Sequence, residues 1–593
     1  MKKNITSIST CALLTGVILL DSLLYVSFAA TPSETAAAIN EAERIQREQQ
    51  LQLERDREKL QEKSQKDSRI EVQEPERKEV LSGGQTFIFH TIELQNATLL
   101  SEKEKGELTK KYLNKAIDFT EINNLLNDIL AYYFLKGYIS ARVYIIPDQN
   151  ISTGILSLKV MEGIVEEIRL ENETSRVNLF TAFPFMQGRI LNLRDLEQGI
   201  DQINRLTSNT ASSKLLPGTK DGQSIIIIAN EDKSPLSGAF SYNNNGSDST
   251  GKGQVGLSAN LDNPLRINDS LGVSINITEP LDDSFQETIP DVTGRYSRSA
   301  LFNYSIPFGY STFAVGASRS EYVTPINLAD GTTAHSEGKS VNKYATFDWR
   351  MYRSQTDKLN LFTTLTNKRS DNYFMGSFIS TSSRKLVVLD FGIDYSTVLH
   401  GGFASGKLTY SSGTKLLNAK QDSRSQDSSL PKSQFQTVKL NLSYVKPLEV
   451  TGVKSNYFAN FSGQYSNDVL FGSEQISIGG SYSVRGFHTV SDSSDRGWYL
   501  QNTLTFTPDI MESKFGIKDC SVSPFIGYDV GQLLSHYSQE NRWLSGAAVG
   551  IGMKYKKLSV NLNYSHPLLS SNRTFDMDSN KNGRVLLSTS LSF

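Results

Sequence analysis

The chain has 593 residues, with 61 lysines and arginines against 63 aspartates and glutamates, six histidines and two cysteines. This balance lacks the basic surplus of a nucleic-acid-binding protein, and two cysteines cannot build a disulfide scaffold. Hydrophobic residues make up 38% of the chain, and a bundle of membrane helices would need many apolar runs of about 20 residues each. Only one candidate run is present, at the start. Lys2 and Lys3 precede the apolar stretch from Cys11 to Leu20, and Ser27-Phe28-Ala29 then places small residues at a cleavage site. Residues 1–29 read as a signal peptide, which predicts an exported protein whose mature chain keeps a single cysteine, Cys520.

Residues 30–66 read as one helix. From Ser33 to Lys66 there is no glycine, and Ala, Glu, Gln, Arg, Lys and Leu dominate, all strong helix formers. About 33 residues give roughly 50 Å of helix. Its apolar positions Ile39, Ala42, Ile45, Leu53 and Leu60 do not make a continuous stripe, which argues against a coiled-coil seam. Residues 67–84 form a charged linker around Pro75.

Two small α/β modules follow, at 85–161 and 162–233. In the first, Phe87–Leu94 reads as a strand, Lys103–Lys115 and Glu121–Lys136 as helices, and Ile139–Ile146 and Gly154–Val160 as strands split by the turn from Pro147 to Asn150. Ile122, Leu125, Ile129 and Tyr133 share one helix face. The second repeats the order more loosely: strand Val165–Leu170, helix Leu193–Leu206 capped by Asn192, strand Gln223–Ala229.

From residue 234 to Phe593 the hydrophobic period switches to two. Leu271, Val273, Ile275 and Ile277 alternate with polar or small residues, as do Ala300, Phe302, Tyr304, Ile306 and Phe308, and later Val438, Leu440, Leu442 and Tyr444. In the last segment Val585, Leu587, Thr589, Leu591 and Phe593 share one side. Such segments of about 10 residues, split by Asn/Asp/Gly/Ser turns, mark a transmembrane β-barrel, and the length corresponds to about 16 antiparallel strands. The polar alternate face predicts a wet lumen.

Gly251-Lys-Gly-Gln-Val-Gly256 matches a nucleotide-binding glycine pattern but opens a strand, where no helix dipole faces a phosphate. The scattered histidines have no metal-ligand spacing, and no nucleophile–base arrangement stands out. These readings argue against an enzyme, a metal site or a cofactor. One constellation remains. Val484-Arg485-Gly486-Phe487 lies in a glycine-flanked loop about 44 residues before Gly527-Tyr528-Asp529, whose strand parity points Asp529 into the lumen. An inward-folded loop would let Arg485 grip that carboxylate in bidentate geometry.

With these motifs the mature chain resembles the outer-membrane transporters of two-partner secretion, the haemolysin and filamentous-haemagglutinin secretion/activation family (TpsB). Gly137-Tyr-Ile-Ser-Ala-Arg142, Glu162-Gly-Ile-Val-Glu-Glu-Ile-Arg169 and the long run from Leu191 to Arg205 carry the likeness. The resemblance implies that the two modules are periplasmic POTRA domains and that the N-terminal helix plugs the pore, with a periplasmic spacer as the alternative. It makes Val484–Phe487 the motif of the sixth extracellular loop, Gly527 and Asp529 its barrel-wall partners, and Phe593 an assembly signal. It departs at Gln501-Asn502-Thr503-Leu504, where the family pattern often reads Arg-Asn-Glu-Leu. The implied partner is a large secreted TpsA-type exoprotein (haemolysin, adhesin or contact-dependent toxin), whose activation can accompany export. Outer-membrane lipid, periplasmic chaperones and the barrel assembly machinery are the other expected partners. A barrel-assembly insertase of the same superfamily and a passive porin are the rival readings.

Overall fold

Alternating side chains leave a strand's backbone groups unpaired unless another strand takes them, and in a bilayer every one must be taken. The chain meets this demand by closing a ring. A computed structural model describes residues 32–62 and 85–593, apart from 248, 280–294, 329–330, 424, 488–491, 535–540 and 572–582. The signal peptide at 1–29 and the linker at 67–84 lie outside the described residues.

Helix α1 spans Pro32–Glu62. The first module follows as β1 (Thr91–Gln95), α2 (Glu102–Thr109), α3 (Phe119–Leu135), β2 (Arg142–Ile145) and β3 (Ile155–Met161). Strand β3 is central, parallel to β1 and antiparallel to β2. Ser101 and Glu104 form a reciprocal capping box on α2, and Asp118 caps α3. The face of α3 carrying Ile122, Leu125, Ile129 and Tyr133 packs into a core with Leu156, Leu158 and Val160. The strand expected over Phe87–Leu94 is split: Phe87–Ile88 pairs with Ala116–Ile117, and β1 starts only at Thr91.

The second module contains β4 (Ile164–Leu170), α4 (Leu193–Asn204), β5 (Ala211–Pro217) and β6 (Gln223–Asn230). Strand β6 is central, parallel to β4 and antiparallel to β5. Strand β5 was not anticipated. It is an edge strand ending in a proline, where the missing N–H costs no ladder bond, and its sequence (ASSKLLP) has no regular alternation.

Sixteen antiparallel strands then close the barrel: β7 (Leu236–Asn243), β8 (Gly253–Asp262), β9 (Ser270–Glu279), β10 (Tyr296–Phe308), β11 (Ser311–Asn327), β12 (Thr333–Arg353), β13 (Lys358–Phe374), β14 (Arg384–Leu399), β15 (Gly402–Gly413), β16 (Gln436–Val450), β17 (Val453–Ser466), β18 (Arg496–Phe506), β19 (Cys520–Leu534), β20 (Arg542–Tyr555), β21 (Leu558–Ser570) and β22 (Arg584–Ser592). The expected fold class, two α/β modules before a sixteen-stranded barrel, is the observed one. The ring closes where β22 pairs β7, from Ser588 opposite Asn243 to Ser592 opposite Ala239. Phe593 sits on that seam. Its N–H donates to the Gly238 carbonyl (2.9 Å), and its ring lies 5.5 Å from that of Phe240. Gly251–Gly256 runs into β8, as its strand-like pattern requires. Most connections at the end carrying the modules are short turns, the helix-bearing segment 507–519 being the exception, and most at the other end are longer, the asymmetry of an outer-membrane barrel.

Candidate functional site

Between β17 and β18 the chain does not stay outside the ring but descends into the lumen. Ile476–Ile478 pairs with Asp492–Ser494 in a small hairpin, and Ile476, Ile478, Val484 and Phe487 form an apolar knot with Leu533 and Leu544 of the wall. That knot carries Arg485 to Asp529. Arg485 Nε donates to Asp529 Oδ2 and Nη2 to Oδ1, each at 2.6 Å, and the Arg485 backbone N–H donates to Oδ2 at 3.0 Å. Nη2 also donates to the Asn502 carbonyl (2.9 Å) and to Thr503 Oγ1 (3.1 Å). Thr503 thus receives the guanidinium where the family pattern often has Glu, and Gln501 lies directly opposite Asp529 in the ladder. Asp529 is completely buried and the Arg485 side chain is 14% exposed. A carboxylate and a guanidinium desolvated together, with further hydrogen bonds, are tied far more tightly than an exposed pair.

Glycines make this approach sterically possible. A Cβ on Gly527 would lie 2.3 Å from Arg485 Nη2, and one on Gly546 would lie 1.7 Å from the Arg485 carbonyl oxygen. A Cβ on Gly486, at φ +104, would lie 2.5 Å from the His566–Pro567 backbone. Gly527 was recognisable from the motif. Gly546 was not: in sequence it is one small residue among many in an alternating strand.

Helix α1 threads the same lumen from the long-loop end toward the modules. Ala38, Ala42, Ile45 and Leu53 are buried against Ala334, Phe374, Tyr322, Leu301 and Tyr344. With Gln49 they occupy one narrow face at helical spacing. The sequence reading missed this stripe because Gln49 interrupts it and alanines count little as apolar signals. Most other contacts are polar. Glu43 accepts from Arg384 (3.0 Å), Gln46 donates to Asn372 (2.5 Å), Gln49 to Ser297 (2.7 Å), and Asp56 accepts from Asn276 (2.8 Å). The helix also touches the folded loop: Arg47 Nε donates to the Gly472 carbonyl (2.8 Å), and the Arg55 guanidinium lies 3.4 Å from the Tyr482 ring centroid.

At the module end, α4 packs against the rim of the mouth. Leu196, Ile200 and Ile203 face the module core, while Glu197, Gln198 and Gln202 are buried on another side. Gln198 and Gln202 donate to the Gly309 carbonyl (3.1 and 2.8 Å), Arg353 Nε donates to Glu197 (3.2 Å), and Asp201 pairs with Arg353 and Lys358. Burial alone would raise the Asp201 carboxyl, but Arg353, then Lys358, hold it below the usual carboxylate range. Beside it lies a cavity of about 630 Å³ lined among others by Gln198, Asp201, Arg205, Asp348, Arg350 and Asp394.

Residues 222–553 match the family described as haemolysin secretion/activation protein ShlB/FhaC/HecB, residues 87–163 a ShlB-type POTRA domain, and 164–217 a further POTRA domain. The outer membrane transporter CdiB of Dickeya dadantii (strain 3937) is 31% identical over 558 residues, covering 93% of this chain and 95% of that one. The hemolysin transporter protein ShlB of Serratia marcescens is 32% identical over 487 residues, covering 82% and 83%. The solved structure of CdiB from Escherichia coli superposes with a TM-score of 0.80 at 27% identity, covering 96% of this chain and all of that one.

Proposed function

The chain belongs to the haemolysin secretion/activation family ShlB/FhaC/HecB, and from that membership we propose that it is an outer-membrane transporter exporting a large partner protein from periplasm to cell surface by two-partner secretion. The relatives named above are transporters, of a haemolysin in one case, and a toxin, haemolysin or adhesin of that type is the cargo proposed here. The observation that carries this reading is a polar-walled barrel whose lumen holds a tethered helix and whose mouth bears a module packed on its rim. A passive porin has no use for either. Two modules and a lumenal helix also favour a transporter over an assembly insertase.

The cargo arrives unfolded, delivered by periplasmic chaperones. The edges of the two module sheets, β1 and β2 in one and β4 and β5 in the other, offer main-chain hydrogen bonds to an extended segment with little demand on its side chains. Folding of the exported chain outside then gives direction, with no cofactor required. In this reading Val484, Arg485, Gly486 and Phe487 set the loop against Gly527 and Asp529, and Phe593 is the signal read by the barrel assembly machinery. The test is surface display of the partner in cells that lack this chain. Display should be lost and return when the chain is restored; display that persists without it would overturn the reading.

A further inference from the structure

The second module carries two aromatic rings that its own core does not use. In the segment from Leu179 to Phe185, Phe183 turns inward against Gly199, where an added Cβ would lie 1.9 Å from the ring. Phe180 and Phe185 point out and are 60 and 63% exposed. Phe185 reaches this position with φ at +59, a backbone conformation that a bulky side chain adopts only when its surroundings impose it. The surroundings here are the rim of the barrel. The Gly309 N–H donates to the Thr181 carbonyl (2.8 Å), and Pro184 packs on Gly309.

Both rings meet Phe308 edge-on, with centroids 5.7 and 6.3 Å away, and each other at 6.0 Å. Phe308 ends the outward-facing column of β10 that includes Phe302, Tyr304 and Ile306. The neighbouring outward positions continue the row. Phe313 stands opposite Ile306 with its ring tilted against that of Phe347 at 4.9 Å, and Trp349 stands opposite Ser311 beside the same turn. Aromatic girdles of this kind mark the level where a barrel meets the bilayer interface. The exposed pair on the module is therefore continuous with the lipid-facing wall, on the periplasmic side.

We infer that Phe180 and Phe185 form a membrane anchor: the second POTRA domain inserts both rings into the interfacial region of the periplasmic leaflet beside Phe308. The domain is then held from two sides, by the polar contacts of α4 inside the mouth and by lipid outside it. The occupant is phospholipid rather than exported chain, because the rings extend the lipid-facing surface and turn away from the lumen.

The test uses the full chain in nanodiscs of phosphatidylethanolamine and phosphatidylglycerol, with Cys520→Ser and an environment-sensitive fluorophore on Phe180→Cys or, separately, on Phe185→Cys. Phe347→Cys serves as the lipid-facing reference and Lys103→Cys as the aqueous one. Lipids spin-labelled near the headgroup should quench positions 180 and 185 as they quench 347, and iodide should quench 103 several-fold more than either. Iodide quenching at 180 and 185 equal to that at 103, with no lipid quenching, would overturn the anchor. Shielding that appears only with added exported partner, or only at high protein concentration, would also overturn it. If neither labelled variant gives a heat-modifiable barrel, hydrogen exchange of the unlabelled protein decides: backbone amides of residues 179–186 should exchange more slowly in nanodiscs than in detergent, and equal rates would contradict the proposal.

Discussion

Two segments fill the same lumen and are built in opposite ways. Helix α1 touches the wall mainly through polar side chains such as Gln46, Gln49 and Asp56, with the ion pair of Glu43 to the buried Arg384 and a thin stripe of Ala38, Ala42, Ile45 and Leu53. The neutral hydrogen bonds among these contribute only about 0.5–1.5 kcal/mol net each, and one to a charged group about 1.5–3 kcal/mol. The loop between β17 and β18 instead has a dry apolar knot and an ion pair whose carboxylate is fully buried, seated through glycines that leave no room for a methyl group. On our proposal that α1 is a plug that leaves and the loop a latch that keeps its register, the two chemistries suit the two roles. Contacts that water can replace dissociate readily, and contacts that leave a naked charge do not.

The largest effect that separates the two should come from Gly546→Ala. Its methyl would meet the Arg485 carbonyl, backbone against backbone, so the loop cannot stay seated, and secretion should fall to the level of a loop deletion. Gly527→Ala meets only the movable end of the guanidinium and should cost less. Secretion assays on the two rank them, and equal losses would mean that loop seating is not what matters.

Next come Arg485→Ala and Asp529→Ala. Removing one partner of a buried pair costs about 3–5 kcal/mol, so each should impair secretion while the barrel still inserts. Because the two act as a unit, the double variant should be little worse than either single one. Additive losses would reject the pairing as a functional unit.

The smallest effect concerns the mouth. The Asp201 carboxyl is held below its ordinary value near 3.8 by Arg353 and Lys358 despite burial. A depressed carboxylate stabilises the folded contact above its unfolded pKa, and that contribution is lost as pH falls through the lower folded value. Protease access to the junction between the second module and the barrel should rise only in acid below about pH 4, and Asp201→Asn should show near-neutral access already raised and little further pH dependence.

The barrel was legible because period-two alternation is imposed on every strand by lipid on one side and water on the other. The latch was legible for a different reason: a glycine-flanked Arg in a loop stands about 44 residues before an inward Asp, a pairing that position and parity in the barrel pick out. Strand β5 escaped because the face it turns to the core carries only Ala211, Ser213 and Leu215, too weak an apolar alternation to stand out. The barrel-facing side of α4 escaped as well. Glu197, Gln198 and Gln202 look like a solvated helix face, and only the Gly309 carbonyl and the Arg353 guanidinium reveal them as an interface. The stripe on α1 was hidden in the same way, since a helix inside a wet pore obeys the wall's polarity rather than that of a hydrophobic core.

The central claim is that α1 occupies the pore at rest and vacates it for transport, and tethering it tests this most directly. Gln46→Cys and Asn372→Cys, whose native side chains meet at 2.5 Å, can be bridged in a Cys520→Ser background in living cells by a short bis-methanethiosulfonate, which forms a disulfide with each thiol and releases methanesulfinate. The bridged protein should stay in the outer membrane but stop exporting its partner, and reduction should restore export. Unimpaired export with the bridge intact would show that the helix does not need to leave, and the plug would have to be given up.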